Sequence, residues 1–312
     1  MIKKEVTFSG LATAFLTLSA FGALLGTLPK VPFPLILLAH FTHFYGPLLV
    51  VAAALLLALR RPKHAAFCLL LGIWNLGIIA RDLAQPKPAA AEGPRLKIVL
   101  ANVYTENNRH EEVEDWLLSQ NADVIALLEI NEAWWKSLDR IAAQYPYGKQ
   151  LARSDNFGIA LVSRLPLEDA RFVNVGQNSI PSILARLQFA GEPLSILVTH
   201  PLPPVSSKNI ESRNLQLKEA AVLAQLSMQG GEFILIGDLN VTPWSAPFRR
   251  LLEESGLRDG RAGFGFQGSW LMNLPLDHTL VSPGLAILER FVDASRGSDH
   301  RPVVFSIGKS LP

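Results

Sequence analysis

The sequence "FILIGDLN", residues 233–240, is the clearest indication of the fold. Its first half is a short apolar run with the length and composition of a strand buried on both faces. Two polar residues that can do chemistry, Asp238 and Asn240, follow at once. A buried strand cannot hold a carboxylate in its middle without a large desolvation penalty. We therefore expect Asp238 at the end of the strand, at the rim of a sheet.

Further apolar runs of this kind recur between residues 95 and 312, and several also stop at a polar residue. The predicted strands are "LKIVLAN" (96–102), "DVIALLE" (123–129), "GIALVSR" (158–164), "SILARLQF" (182–189), "LSILVTH" (194–200), "FILIGD" (233–238), "DHTLVS" (277–282) and "RPVVFSI" (301–307). Asn102, Glu129 and His200 close three of them. Apolar residues at helical spacing predict helices over 110–120 and 207–228.

Some of these strands follow one another without a helix, so the pattern predicts a mixed α/β domain. Ligand sites in such folds commonly form where strand ends meet at one rim. Any one of the polar residues could merely cap a turn. The whole set, which ends in "GSDHRP" (297–302), is harder to explain in that way.

Taken in order, these blocks resemble the endonuclease/exonuclease/phosphatase superfamily, also called the deoxyribonuclease-I-like fold. The blocks are "ANV" with Asn102, "LLEI" with Glu129, "GIALVSRLP", "VTH" with His200, "GDLN" with Asp238 and Asn240, "LDH" with Asp277, and "GSDHRPV" with Asp299 and His300. The resemblance covers about residues 96–307. It implies a four-layer α/β sandwich, with two facing mixed β-sheets flanked by helices, and divalent-metal hydrolysis of phosphate esters.

The same resemblance implies a metal site. Glu129 matches the principal metal ligand, and Asn102 and Asp299 are expected close to it. Oxygen ligands of this kind suit Mg²⁺ or Mn²⁺, and no thiolate is at hand because Cys68, the only cysteine, lies in an apolar run. Some nucleases of the superfamily carry an acid where this chain has Tyr104, so a second direct carboxylate ligand is in doubt there.

The remaining matched residues imply catalytic roles. Asp238 matches the group that orients or deprotonates the attacking water. Asn240, expected in an extended segment, points to the same side and can donate to a phosphate oxygen. His300 is expected to pair with Asp277, which would fix its tautomer and favour its protonated form. His200 matches a second histidine that faces the phosphate, as an electrostatic clamp or proton donor.

Three neighbouring residues receive weaker interpretations. Strand alternation turns His278 away from Asp277 and hence away from the site. Arg213 and Gln216 lie at helical spacing, where the superfamily often has similar residues. They either support the site or belong to a solvated helix face.

The first third of the chain has a different character. The whole chain is 49% hydrophobic and only 18% charged, with a mean hydropathy of +0.24. Formal net charge is +5 for residues 1–94 and −3 for residues 95–312. This composition argues against a wholly soluble protein and a disordered chain, and the single cysteine argues against a disulfide scaffold. Charge-free stretches predict three transmembrane helices at about 6–28, 33–59 and 64–80, then a linker (82–94) and the catalytic domain (95–312).

Basic residues predict the orientation of these helices. Lys3 and Lys4 precede the first, and Arg60 and Arg61 lie between the second and third, which favours the cytoplasm for both groups. Three crossings then place the catalytic domain outside the cytoplasm, in a multi-pass protein of the cell inner or plasma membrane. If the third segment only lies on the surface, the domain faces the cytoplasm instead.

A membrane anchor favours a substrate in or near the bilayer. The first hypothesis is therefore a membrane-anchored phosphoesterase, more a phosphodiesterase than a phosphomonoesterase, acting on a lipid-associated or headgroup phosphate. A net charge of −3 without a basic run gives no support to nucleic-acid binding, but a membrane-tethered nuclease acting on DNA is the alternative. An inactive relative serving as a membrane binding module is a third hypothesis, opposed by the presence of all eight matched residues.

Overall fold

The computed structural model describes residues 7–28, 32–176 and 179–311. The chain divides into two compact units. The helical unit comprises Met1–Ala84 with the short segment Thr242–Ala246, and the sheet unit comprises Gln85–Val241 with Pro247–Pro312. Every predicted metal-binding and catalytic residue belongs to the sheet unit.

The helical unit consists of apolar helices. They are α1 (Phe8–Thr27), a 3₁₀ helix (Leu35–Phe41) that leads directly into α2 (Thr42–Ala58), and α3 (Pro62–Leu83). Pro62 opens α3 at the first helical position, where its fixed φ and missing N–H cost nothing. Leu49, Leu56 and Cys68 are buried in the small core that the helices share.

Two helical stretches are long and apolar enough to cross a membrane: Leu35–Ala58, with mean hydropathy 1.8, and Pro62–Leu83, with 1.6. Within the described part of α1 the apolar stretch is Ser9–Phe21, and that stretch is too short. In the described residues the prediction of three spanning helices is therefore wrong by one. The physical reason is length, because a crossing needs roughly 17 apolar residues or more.

This correction removes the basis of the predicted orientation. An odd number of crossings was needed to place the catalytic domain outside the cytoplasm. Lys3, Lys4 and Lys30, whose charges entered that reasoning, lie outside the described residues. The side of the membrane on which the domain lies stays a prediction.

The sheet unit is built from two six-stranded sheets. The first has the order β11-β12-β1-β2-β4-β3 and the second β5-β6-β7-β8-β10-β9. The strands are β1 (Leu96–Asn102), β2 (Val124–Leu128), β3 (Tyr147–Leu151), β4 (Ile159–Ser163), β5 (Asp169–Asn174), β6 (Pro181–Phe189), β7 (Glu192–Thr199), β8 (Glu232–Asp238), β9 (Arg258–Asp259), β10 (Asp277–Val281), β11 (Leu285–Val292) and β12 (Val303–Lys309). Among the strands that the structure describes, only the pairs β1–β2 and β7–β8 are parallel, so both sheets are mixed.

Helices cover the outer faces of both sheets. They are α4 (His110–Ser119), α5 (Glu132–Ser137), α6 (Asp139–Gln144), α7 (Ser207–Met228) and α8 (Ala246–Ser255). Alternate residues such as Ile98 and Ile196 meet in a core between the sheets. Val99 and Leu197 point the other way, into cores shared with the helices. This alternation of two faces produces the expected fold of two facing mixed sheets flanked by helices.

Two features of the sheet unit differ from the sequence-based expectation. The strands β3, β5, β9 and β11 were not predicted, because they are short or carry exposed polar residues that break the apolar pattern. The predicted linker does not run free over its whole length: Ala90 forms a β-bridge with Ser310, and the Ala91 N–H donates to the Lys309 carbonyl.

Candidate active site

Strand pairing brings the polar ends of the predicted strands to one rim of the sandwich. In the first sheet β1 and β2 run parallel, with Asn102 opposite Leu128, so Glu129 follows at the same edge. In the second sheet Asp238, at the end of β8, lies opposite Asp277, the first residue of the antiparallel β10. The rim therefore receives side chains from both sheets. It lies where the apolar runs with polar ends predicted it.

Four side chains from this rim form a buried chain of ionic contacts. Nδ1 of His300 lies 2.8 Å from the Asp277 carboxylate, which is the expected pairing. On the other side of that ring, Nε2 lies 3.5 Å from Oδ2 of Asp238. Nε2 of His200 lies 3.3 Å from the same oxygen. All four side chains are at least nine-tenths buried, so one carboxylate oxygen is shared by two imidazoles away from bulk water.

The charges in this chain reinforce one another. Burial opposes protonation of His300, but the negative charges of Asp277 and Asp238 outweigh it and raise the pKa to about 10. Burial likewise opposes protonation of His200, whose pKa is nevertheless raised by its hydrogen bond to Asp238. Burial would raise the pKa of Asp238, but the two histidines hold it below its usual range. At neutral pH His300 is therefore an imidazolium, and the shifts on His200 and Asp238 both favour the charged forms of these two groups.

Glu129 has one oxygen that no protein group satisfies. Its Oε1 accepts a 2.8 Å hydrogen bond from the Asn102 amide, whereas Oε2 is buried and has no partner among the described residues. Burial raises the pKa of this carboxyl. The backbone at Glu129 is left-handed, with φ of 63°, and its N–H donates to the Gly158 carbonyl. A Cβ at position 158 would overlap the Ile130 carbonyl, so only glycine allows this close approach.

The third expected metal ligand is less tightly placed. Asp299 is exposed, and its carboxylate accepts a 2.8 Å hydrogen bond from the Trp270 indole. Among the described residues no three His, Cys, Asp or Glu side chains are close enough together to hold a metal ion. The predicted set of Glu129, Asn102 and Asp299 is thus not a compact cage. The free, buried Glu129 oxygen beside an amide does fit a hard cation that keeps most of its waters.

Asn240 belongs to the site, but not in the expected conformation. The strand β8 ends at Asp238, and Asn240 has a left-handed backbone with φ of 52° rather than an extended one. Its N–H donates to Oδ1 of Asp238 at 3.0 Å, and its side-chain amide donates to the Pro201 carbonyl. A left-handed Asn is tolerated because its short polar side chain can bond locally. The turn thereby aims Asn240 and Asp238 at the same space.

Arg213 and Gln216 support the site and do not lie on a solvated helix face. Both are buried on α7. Nη1 of Arg213 donates to the Asn240 carbonyl at 2.8 Å, and burial lowers the pKa of this guanidinium to about 10. Gln216 donates to the hydroxyl of Thr199, the residue before His200.

His278 faces away from the site, as strand alternation predicted. Its Nε2 lies 2.8 Å from the Val241 carbonyl, and its ring packs on Phe248 at 4.4 Å. Burial lowers its pKa to about 4, so the ring is neutral at ordinary pH. Position 278 is thus part of the core under α8.

Two aromatic rings flank the site histidines. The Phe157 ring lies 5.3 Å from the His200 ring, and the Trp270 ring lies 6.2 Å from that of His300. Both aromatic side chains are partly exposed. Trp270 carries a weak signal in the sequence, as an aromatic residue shortly before Asp277, whereas Phe157 lies in a polar loop and carries none.

A comparison with known proteins agrees with this geometry. The model of the Endonuclease/Exonuclease/phosphatase family matches residues 99–300, which is more than half of the chain. The chain belongs to this family. Members of the family are phosphoester hydrolases, generally with a divalent metal ion. The matched range begins within β1 and ends at His300, so it contains all eight predicted site residues.

Among curated proteins, this family member is similar to the inositol phosphosphingolipids phospholipase C of Saccharomyces cerevisiae. The two are 29% identical over 164 residues, which is 45% of this chain. The chain spans about a third (34%) of the length of that relative.

Solved structures share the fold at low identity. Danio rerio TDP2 complexed with a single-strand DNA product has a TM-score of 0.59 at 15% identity, over 69% of this chain and 100% of that one. Sphingomyelinase C from Streptomyces griseocarneus has a TM-score of 0.53 at 17% identity, over 69% and 99%. The human Nocturnin catalytic domain has 0.58 at 16%, over 70% and 96%. At these identities the likeness concerns the fold.

Proposed function

We propose that this chain is a membrane-anchored, divalent-metal-dependent phosphodiesterase that hydrolyses a lipid-associated or headgroup phosphate ester. The observation that carries the proposal is the buried Asp238 carboxylate between two histidines, at the same rim as an unsatisfied Glu129 oxygen. Positive donors and a carboxylate held in fixed places suit attack of water on a phosphate ester.

The protein groups supply acid–base and electrostatic chemistry. Asp238 stays ionised because of its depressed pKa, and it orients the attacking water and accepts its proton. His200 and His300, whose pKa values are both raised, donate to the oxygens of the phosphate, which gain charge in the transition state. One of them protonates the leaving oxygen. Asp277 keeps Nδ1 of His300 protonated and the ring in place, and Asn240 adds an amide donor.

Glu129 and Asn102 would hold the metal ion, with Asp299 contributing from the exposed edge. Mg²⁺ or Mn²⁺ bound there would neutralise phosphate charge and make its bound water more acidic. The unsatisfied, buried Oε2 of Glu129 supports this assignment, because an unpaired buried carboxylate oxygen is costly unless a cation completes it.

Three observations favour a lipid over a nucleic acid as the substrate. The similar yeast protein is named as a phospholipase C acting on inositol phosphosphingolipids. The sheet unit's share of the chain has a net charge of −3 over residues 95–312, which is unsuited to phosphate-rich polymers. Beside Trp270, the side chains of Leu271 and Met272 are 56% and 59% exposed and offer an apolar contact next to the site.

The helical unit supports the membrane anchor in the proposal. Two of its helical stretches have the length and hydropathy of spanning segments. Large apolar side chains on them face outwards, among them Leu48, Leu70 and Trp74. Outward-facing apolar residues on a long helix are typical of contact with lipid.

The deciding experiment compares substrates on the full chain in detergent micelles. We expect Mg²⁺-dependent release of a phosphorylated headgroup from phosphosphingolipid or phosphatidylinositol mixed micelles, and loss of it with EDTA. Asp238→Asn should abolish turnover. The matched control is Asp169→Asn, which removes an exposed carboxylate on β5 and should keep turnover.

Each other outcome would overturn the proposal in a different way. Cleavage of plasmid or single-stranded DNA, sensitive to Asp238→Asn and faster than lipid turnover, would establish a tethered nuclease. Hydrolysis of phosphomonoesters alone would establish a phosphatase. No turnover of lipid, DNA or a chromogenic phosphodiester with Mg²⁺ or Mn²⁺ would leave an inactive membrane binding module. Recovery of the chain in the soluble fraction without detergent would show that it is not anchored in a membrane.

A further inference from the structure

A buried arginine lies behind the site and touches none of the reacting groups. Arg290, in β11, is only 4% exposed. Its Nε donates to the Thr279 hydroxyl at 3.1 Å, and its Nη2 donates to the main-chain carbonyl of Asp277 at 3.2 Å. Its Nη1 is buried and has no hydrogen-bond partner among the described residues.

Burying Arg290 in this way costs free energy of folding. A guanidinium that leaves water loses a large solvation energy, and the two oxygens that accept its hydrogen bonds here are neutral. Burial lowers the pKa of Arg290 to about 9, which reflects that loss. A well-packed apolar side chain of similar length would fill such a position at lower cost. Stability therefore gives no reason for an arginine at this position.

The position of Arg290 between the sheets supplies a reason. The strand β11 belongs to the first sheet, where Arg290 is paired with Phe305 of β12. The strand β10, which carries Asp277 and Thr279, belongs to the second sheet. Arg290 therefore links the two sheets across their interface.

The Asp277–His300 pair joins the same two sheets. His300 lies three residues before β12, and Asp277 is the first residue of β10, so their 2.8 Å contact spans the gap between the sheets. A small shift of one sheet against the other would lengthen this contact directly. Ser269 provides a second tie, because its hydroxyl accepts from the Asp277 N–H and its carbonyl accepts from the Arg301 N–H.

We propose that Arg290 is a positioning residue, which holds the main chain of Asp277 so that its carboxylate meets His300. The inference rests on the proposed function only for its kinetic test. Because Arg290 acts on the alignment of the pair and not on the substrate, its loss should lower kcat and leave KM nearly unchanged.

The test uses the full chain in detergent micelles and three variants. Arg290→Met removes the donors at similar length, and Arg290→Lys keeps a cation and one donor. Arg261→Met is the matched control: Arg261 is equally buried and binds the Asp259 carboxylate. We expect Arg290→Met to lower kcat about 10- to 100-fold and KM to change less than about 3-fold. Arg290→Lys should recover most of kcat, and Arg261→Met should lower the melting temperature without lowering kcat.

A second readout does not need turnover. Protein labelled with ¹⁵N-histidine should show a low-field proton on Nδ1 of His300, identified by its loss in Asp277→Asn. We expect this signal to persist in Arg290→Lys and Arg261→Met and to shift or broaden in Arg290→Met.

Three results would overturn the inference: an Arg290→Met chain that is folded and keeps kcat within about 3-fold, a signal unchanged in that variant, or an equal loss of kcat in Arg261→Met. If Arg290→Met does not fold, Arg290→Gln, which removes the guanidinium and its charge but stays polar, replaces it in both measurements. If no variant shows turnover but the His300 signal still depends on Arg290, the proposed function is wrong and the positioning role of Arg290 is retained.

Discussion

The two halves of the site differ in how far protein groups satisfy their polar side chains. In the catalytic half, contributed mainly by the second sheet, His200, Asp238, Asp277 and His300 are buried and bonded to one another. In the metal half, at the ends of β1 and β2, Glu129 keeps a buried oxygen without a partner. Asp299 lies exposed, bonded to Trp270 instead.

This contrast shows which part of the site is pre-organised by the fold and which part needs a bound cation. In the catalytic half the carboxylates of Asp277 and Asp238 keep His300 protonated, and the raised pKa of His200 acts in the same sense, so the fold itself fixes this geometry. The metal half has an uncompensated carboxylate oxygen, so an added cation has to complete it. We therefore expect substitutions in the first half to act on turnover directly, and substitutions in the second half to act through metal affinity.

The largest effect should come from Asp238→Asn. It removes the proposed acceptor of the water proton and the shared partner of His200 and His300. Losses for a group of this kind are on the order of 10³-fold or more in kcat. The measurement is kcat on a chromogenic phosphodiester at saturating Mg²⁺. Retention of more than about a tenth of the activity in a folded variant would show that Asp238 is not that acceptor.

Glu129→Gln should act through the metal. The Mg²⁺ concentration for half-maximal turnover should rise at least about 10-fold, because one neutral amide replaces the main anionic ligand. Thermal unfolding separates this from catalysis, since a ligand that binds only the folded state raises its melting temperature. Mg²⁺ should raise the melting temperature of the parent chain and of Asp238→Asn, but not of Glu129→Gln. Equal shifts in all three would place the ion elsewhere.

The comparison also explains what the sequence could predict. Apolar runs that end in Asn102, Glu129 or Asp238 fix both the strand and its polar end, because a buried strand excludes a carboxylate from its middle. The rim was therefore predictable from the apolar runs, whereas Asp277, Asp299 and His300 were added to it by the resemblance to the superfamily. The spacing between Glu129 and Asp299 was not, because it depends on loops whose course no local pattern specifies.

Other features were missed because tertiary contacts override local pattern. Arg290 stands in "LERFVD" beside Glu289, which looks like a solvated strand edge, and only the packing of two sheets buries it. The left-handed turn at Asn240 depends on acceptors at Asp238 and Pro201, far apart in sequence. The count of spanning helices differed because the apolar stretch in the described part of α1 is shorter than a crossing needs.

A buried ionic pair outside the site tests whether pH acts on the fold or on the chemistry. Burial would raise the pKa of Asp259, but Arg261 lowers it below its ordinary value. A carboxyl whose pKa is depressed by folding stabilises the protein above its unfolded pKa of about 4, and this contribution disappears as pH falls through the folded value. Asp259→Asn should therefore lower the melting temperature at pH 7 and cost progressively less below about pH 4. A constant difference from pH 7 to pH 3 would contradict the pairing.

The smallest effect should come from Arg213→Lys, because this change keeps the charge on α7 and loses only the geometry. Nη1 of Arg213 donates to the Asn240 carbonyl, whereas a lysine at this place has one rotatable ammonium to satisfy that oxygen and Asn214 together. We expect kcat to fall about 3- to 10-fold with little change in the Mg²⁺ requirement, since Asn240 belongs to the catalytic half. Lys218→Arg, an exchange in the opposite sense on the same helix, is the control and should leave kcat unchanged. A rise in the Mg²⁺ requirement of Arg213→Lys would instead show that the two halves of the site are mechanically coupled through the β8 turn.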